Sequence, residues 1–234
     1  VSVPAVDSIL ANGDTIRFSG KLSRDSGEHV GAYTIRQGNL SNSNYRIRYI
    51  GSNFIIDSLD IIVTADSATK VYGNRDSLFT YHSDPPLGTL LTNGEVIRFS
   101  GSLIRDAGED VGAYSINKGT LANSNYRISY IKDSLTITPL SVSVTADAKA
   151  KDFGALDPLL TFGSNPARGS FLPNGDSVRF YGALTREPGE DAGSYQIKVG
   201  SLANPNYDIH YTGNYLTIDS LIITVTAIPL SKAY

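Results

Sequence analysis

The chain has 234 residues, 41% of them apolar and 18% charged, and a net charge of −3. That bounds it at one large domain or two to three small ones and leaves no basic face for nucleic acid. The absence of Cys excludes disulfides, thiolate metal sites and thiol catalysis, and no apolar stretch approaches the ~20 residues a membrane helix needs. Met and Trp are also absent; lacking the easily oxidised Cys and Met suits an exposed, extracellular life. The chain opens with neither Met nor a signal peptide, which reads as a mature product or an internal fragment.

A period of 81 residues, without insertions, organises the sequence. Asn12-Gly13 falls on Asn93-Gly94 and Asn174-Gly175, Tyr33 on Tyr114 and Tyr195, and Asn44-Tyr45 on Asn125-Tyr126 and Asn206-Tyr207. Residues 1–59 form a partial repeat lacking its first strands. Residues 60–140 and 141–221 form complete repeats, and 222–234 are the first strand of a further one. The ends therefore read as a window in a longer array or as complementary ends. In the second reading, 222–234 of one chain completes 1–59 of an identical chain in a head-to-tail filament.

In chain order, a repeat reads as strands. Asn93-Gly94 sits between two strand-like runs, a hairpin signal. "EVIRFSGSL" (95–103) places Ile97 and Phe99 on one side. "GAYSI" (112–116) pairs Tyr114 with Ile116, and "YRISYI" (126–131) aligns Tyr126, Ile128 and Tyr130. "SVSVTAD" (141–147) puts Val142 and Val144 on one face. No 3.6-residue apolar period is sustained. Short strands with turns about every 8–12 residues predict tandem immunoglobulin-like antiparallel β-sandwiches. Repeats join through "LTITPLSVSV" (135–144), where Pro139 lacks an N–H and fixes its own φ. This predicts stiff joints and an elongated rod.

One phrase recurs at 25–35, 106–116 and 187–197: "DSGEHVGAYTI", "DAGEDVGAYSI" and "EPGEDAGSYQI". Arg105, Asp106, Glu109 and Asp110 cluster there, and close carboxylates can hold calcium or act as acid and base. The structural reading is stronger. The glycines permit unusual backbone or close approach, and Tyr33, Tyr114 and Tyr195 fit a tyrosine corner with the ring in the core and the hydroxyl on nearby backbone. His29 replaces the acid of the first copy, so that carboxylate is dispensable, and Arg105–Glu109 can pair. "ANSNY" and "ANPNY" read as turn residues before a strand, with sugar-binding amides as the alternative. The three His residues occupy different repeat positions. No phosphate loop, H-E-x-x-H or G-x-S-x-G motif is present. Neither enzyme nor cofactor is expected.

The repeats resemble MBG domains of the YGX type, on "VTADSATKVYGNRDSLFTY" (63–81), "NGEVIRFSGSLIRDAGEDVGAYSI" (93–116) and "NSNYRISYIKDSLTIT" (123–138). The Y-G pair is Tyr72-Gly73; the third repeat has Phe153-Gly154. The resemblance implies a stalk or adhesin module of a large bacterial surface protein, outside the cell. A second resemblance is to the Asp-Ser/Thr-apolar motif that Bacteroidota O-glycosylate. It makes candidates of Ser8, Thr15, Ser58, Ser67, Ser77, Ser134, Ser177 and Ser220. The expected function is a non-enzymatic spacer whose partners are neighbouring repeats of the same or an identical chain. The alternative is a multivalent module for a surface glycan or protein ligand.

Overall fold

The computed structural model describes residues 1–234 and contains strands, turns and extended segments but no helix. The partial first repeat supplies β1 (Ser23–Arg24), β2 (Gly31–Arg36) and β3 (Ser52–Ile56). The second supplies β4 (Leu59–Ala65), β5 (Ala68–Val71), β6 (Tyr81–Asp84), β7 (Ile104–Arg105), β8 (Gly112–Asn117), β9 (Tyr126–Ile131) and β10 (Asp133–Thr138). The third repeats that order as β11 (Leu140–Ala146), β12 (Lys149–Asp152), β13 (Phe162–Asn165), β14 (Thr185–Arg186), β15 (Gly193–Lys198), β16 (Tyr207–Thr212) and β17 (Asn214–Asp219).

Two compact units make up the chain, and their boundaries cut through the second repeat. The first unit gathers residues 1–66, 79–104 and 117–133 and contains the sheets β1-β2-β3 and β6-β4-β9. The second gathers 67–78, 105–116 and 134–234. It contains β5-β10-β8, with β7 at its edge, together with both sheets of the third repeat, β13-β11-β16 and β12-β17-β15-β14.

The fold is all-β, but the sheets are mixed rather than wholly antiparallel. β4 pairs antiparallel with β6 and parallel with β9, Leu59 lying opposite Tyr126 and Thr64 opposite Ile131. β11 does the same with β13 and β16. β5 and β12 run parallel to β10 and β17. The reason is connection length. Most of a repeat lies between each first strand and its parallel partner, ample for a crossover, whereas a two-residue hairpin yields only antiparallel neighbours.

Period-2 patterning places the core. β11 buries Val142, Val144 and Ala146, and the equivalent side chains Ile61, Val63 and Ala65 of β4 are buried too. In the third repeat Ile197, Leu216 and Ile218 are buried on the other sheet, and Val178, Leu184 and Leu202 add to the core from connecting segments. The Asn-Gly turn at 93–94 forms, with Leu91 N–H on the Glu95 carbonyl at 2.7 Å. The run after it is not a regular strand: 95–103 is held by isolated bridges, Leu90 to Val96 and Ser100 to Ala122. Left-handed Gly101 (φ 86°) stops it, and a Cβ there would lie 2.2 Å from the Thr120 carbonyl oxygen. Consecutive repeats follow almost without a linker. Pro139 alone separates β10 from β11, and residues 57–58 alone separate β3 from β4.

Candidate functional site

The recurring phrase is a turn organised by an arginine. Arg105 directs its five N–H groups to five acceptor contacts: the Asp106 and Gly108 carbonyls, both oxygens of Asp76, and Glu109. Its guanidinium also lies 5.2 Å from the centre of the Tyr114 ring, a cation–π contact. The Tyr114 hydroxyl donates to the Asp110 carbonyl at 2.8 Å, and those of Tyr33 and Tyr195 donate to His29 and Asp191. The three rings differ from the core placement expected of them: they are half-buried. The guanidinium covers one part of each ring and a glycine backbone another. At Gly108 (φ 138°) a Cβ would lie 2.2 Å from the Tyr114 ring.

Behind the turn is a four-charge ring that the sequence reading did not find. Lys70 Nζ sits 2.7 Å from Asp76 and 2.6 Å from Glu109, and Arg105 pairs with the same two carboxylates. Lys151, Asp157, Arg186 and Glu190 reproduce the ring. The lysine side chains are 6% and 4% exposed. A lysine so buried needs compensating charge, and two carboxylates supply it. Burial works against the charge of Lys70, but Asp76 and Glu109 outweigh it and hold its pKa above the ordinary value. Arg186 and Lys151 hold Asp157 down to about 2. The signal was in the 81-residue register as K-x-[YF]-G-x-x-D, at 70–76 and 151–157. It became visible as chemistry only once β5 and β12 brought each lysine to its turn.

The outer side of the turn meets the next repeat. Within the second unit, Asn206 accepts the Val111 N–H at 2.8 Å and donates to Asp110 at 2.7 Å. Its carbonyl takes the Leu140 N–H at 2.9 Å. Within the first unit, Asn125 accepts from Val30 at 3.1 Å, contacts His29 Nδ1 at 2.9 Å and takes the Leu59 N–H at 3.0 Å. This explains His29: a neutral imidazole with its lone pair on Nδ1 accepts from the amide as a carboxylate does. In "NSNY" and "NPNY" the two asparagines therefore divide the work. Asn123 and Asn204 hold the local turn, while Asn125 and Asn206 read the preceding repeat.

The Tyr-Gly pair is the other half of the second joint. Tyr72 packs edge-on against Tyr207, with centroids 5.9 Å apart. Burial, then the Asp176 charge, push its phenol up to about 12. The Gly73 carbonyl accepts the Asn174 N–H at 2.8 Å, and Arg75 Nε donates to the Pro173 carbonyl at 2.8 Å. Leu172 lies against Gly73 so closely that a Cβ would stand 2.5 Å from its Cδ1. Leu172 is 9% exposed, whereas its counterpart Leu10 is 38% exposed. A cleft of about 580 Å³ borders this joint, lined among others by Tyr72, Asp110, Phe171, Arg179 and Tyr181. Its exposed aromatics do not recur, since the places of Tyr181 in the other repeats hold Ser19 and Ser100.

The candidate glycosylation residues divide in two. Ser58, Ser67, Ser77 and Ser220 are exposed; Ser8, Thr15, Ser134 and Ser177 are half-buried. Asp76, beside Ser77, is committed to the ionic ring. No group of three or more His and acidic side chains is placed to hold a metal ion.

These features define a tandem β-repeat protein whose modules interlock by a Tyr-Gly finger and an asparagine bridge. The chain belongs to the MBG domain family, YGX type, whose model matches residues 4–55, 61–136 and 142–217. No curated protein matches the sequence.

Two outcomes follow from this geometry. Depressed carboxylate pKa values mean the unfolded chain takes up protons first as pH falls, so the ring's contribution is intact above pH ~4 and fades toward Asp157's folded value of about 2. Lys151→Ala should destabilise the chain at neutral pH, because it leaves Asp157 and Glu190 with Arg186 alone, and its penalty should shrink in acid melts. Gly73 and Gly154 share φ near 85°, but only Gly73 faces a packed neighbour. Gly73→Ala should therefore destabilise by about 1 kcal/mol more than Gly154→Ala in urea unfolding.

Proposed function

We propose that the chain is a non-enzymatic spacer, a run of structural repeats in a secreted bacterial surface protein. The observation that carries this reading is the investment of recurring residues. What repeats every 81 residues is the arginine-clamped turn, the lysine–carboxylate ring and the asparagine that reads the preceding turn. These residues all serve the fold or the joint. The carboxylates that do come together, Asp76 with Glu109 and Asp157 with Glu190, are each held by a lysine and an arginine, which supports a structural role over an acid–base one. Membership of the MBG family supports a module of surface proteins. A second reading, a glycan- or protein-binding module, draws on the cleft with exposed Phe171 and Tyr181. Because those aromatics belong to the third repeat alone, they favour at most one site and not avidity through repetition.

A spacer needs joints that do not bend. In ¹⁵N relaxation of the intact chain, amides of 67–78 and of 141–219 should report one rotational correlation time. Two distinct correlation times would contradict the spacer reading.

A further inference from the structure

We propose that the repeat is a load-bearing element: its opening and closing strands form a parallel ladder that tension along the chain must shear as a whole. This deepens the spacer reading and rests on it, because a spacer in a surface protein carries tension. Stiffness of the joints and strength of the ladder are separate properties, so either can fail without the other.

The ladder is most complete in the third repeat. Its opening strands, β11 and β12, run beside its closing strands, β16 and β17, in the same direction. Leu140 faces Tyr207 and Thr145 faces Thr212 in one sheet. Lys149 faces Leu216 and Asp152 faces Asp219 in the other. The offset is 67 residues throughout (140 to 207, 152 to 219), so the register carries over unchanged as both segments pass from one sheet to the other. Asn214 Nδ2 bridges the break by donating to the Ala146 carbonyl at 3.2 Å. Backbone bonds extend both ends, from Leu140 N–H to the Asn206 carbonyl at 2.9 Å and from Phe153 N–H to the Asp219 carbonyl at 2.8 Å. The second repeat keeps the same offset in each of its parallel pairs, Leu59 opposite Tyr126 and Ala68 opposite Leu135. It has the matching end bonds, Leu59 N–H to Asn125 and Tyr72 N–H to Thr138.

Direction decides what this ladder does under load. Tension reaches β11 at its N-terminal end, through Pro139 alone, and leaves β17 at its C-terminal end. Because the strands are parallel, those two points lie at opposite ends of the ladder. The strands must then slide past one another, and their hydrogen bonds are loaded together. With an antiparallel closing strand the two points would share one end, and the same bonds would open singly. Side chains add to the resistance. Val142 and Val144 of β11 and Leu216 and Ile218 of β17 are buried, so a slip of one residue, ~3.3 Å, would set the inward side chains against the wrong partners and turn apolar surface toward water.

Optical-tweezer pulling of the full chain tests this. The chain has no Cys, so two introduced cysteines carry the handles and fix the pulling axis. Ser141→Cys with Asp219→Cys pulls the ladder in shear. Ser141→Cys with Asp208→Cys pulls on two facing residues and opens the same ladder from one end. All of these positions are exposed. At equal loading rate the shear pair should yield at a force at least about twofold higher, because many hydrogen bonds break together rather than one at a time. Urea has no direction, so both variants should unfold at the parent's midpoint. Where Asp208→Cys shifts that midpoint, Ser143→Cys with His210→Cys supplies the same unzipping axis on exposed, facing residues. Equal forces along the two axes, or a lower force in shear, would overturn the proposal and leave the stiffness of the joints untouched.

Discussion

Everything at the repeat joint depends on one guanidinium. Arg105 holds the 106–110 turn from inside by two backbone carbonyls, two carboxylates and the face of Tyr114. A turn that must present a particular N–H to another module cannot be left to its own conformational freedom, because ordering each residue on docking would cost about 1–2 kcal/mol. The arginine meets that cost within the repeat. Its counterpart Arg186 does the same for 187–191 with a matching set of bonds.

The surface so fixed is small and polar. One asparagine satisfies a backbone N–H, a side-chain acceptor and the N–H of its own repeat's first strand. Beside it, Tyr72 and Leu172 bury apolar surface that the partial first repeat leaves open at Leu10. Hydrogen bonds set the register and burial adds the favourable free energy. This division explains how His29 can replace an aspartate: the position requires an acceptor, not a charge. It also explains why the compact units cut across the sequence repeat. Segments 67–78 and 105–116 of the second repeat group with the third because their joint contacts are made with its residues 172–174 and 206–207.

Much of this was legible in the sequence. The 81-residue period, the strand character, the Asn-Gly turns and the inward Val142 and Val144 follow from spacing and patterning. The Arg105–Glu109 pair follows from separation by four residues. Four things were not. Parallel pairing of β4 with β9 joins residues 67 positions apart, and no local pattern encodes it. The run 95–103 alternates like a strand but is stopped by Gly101, whose backbone is wedged against Thr120. The tyrosines of the recurring phrase read as core residues because aromatic residues in strands usually are; here an arginine and a glycine cover them instead. The roles of Lys70, Tyr72 and Asn206 needed the third dimension, since each acts on a partner 39 or more residues away.

The most direct test of the asparagine bridge is amide hydrogen exchange at three equivalent positions. Val30, Val111 and Ala192 occupy the same place in the same turn. Asn125 and Asn206 accept from the first two, while Ala192 makes no such bond within its chain. The Val30 and Val111 amides should be strongly protected and the Ala192 amide should exchange near the rate of an open peptide. Equal exchange at all three would contradict the account, because the turn's own geometry and not the neighbouring repeat would then govern these groups.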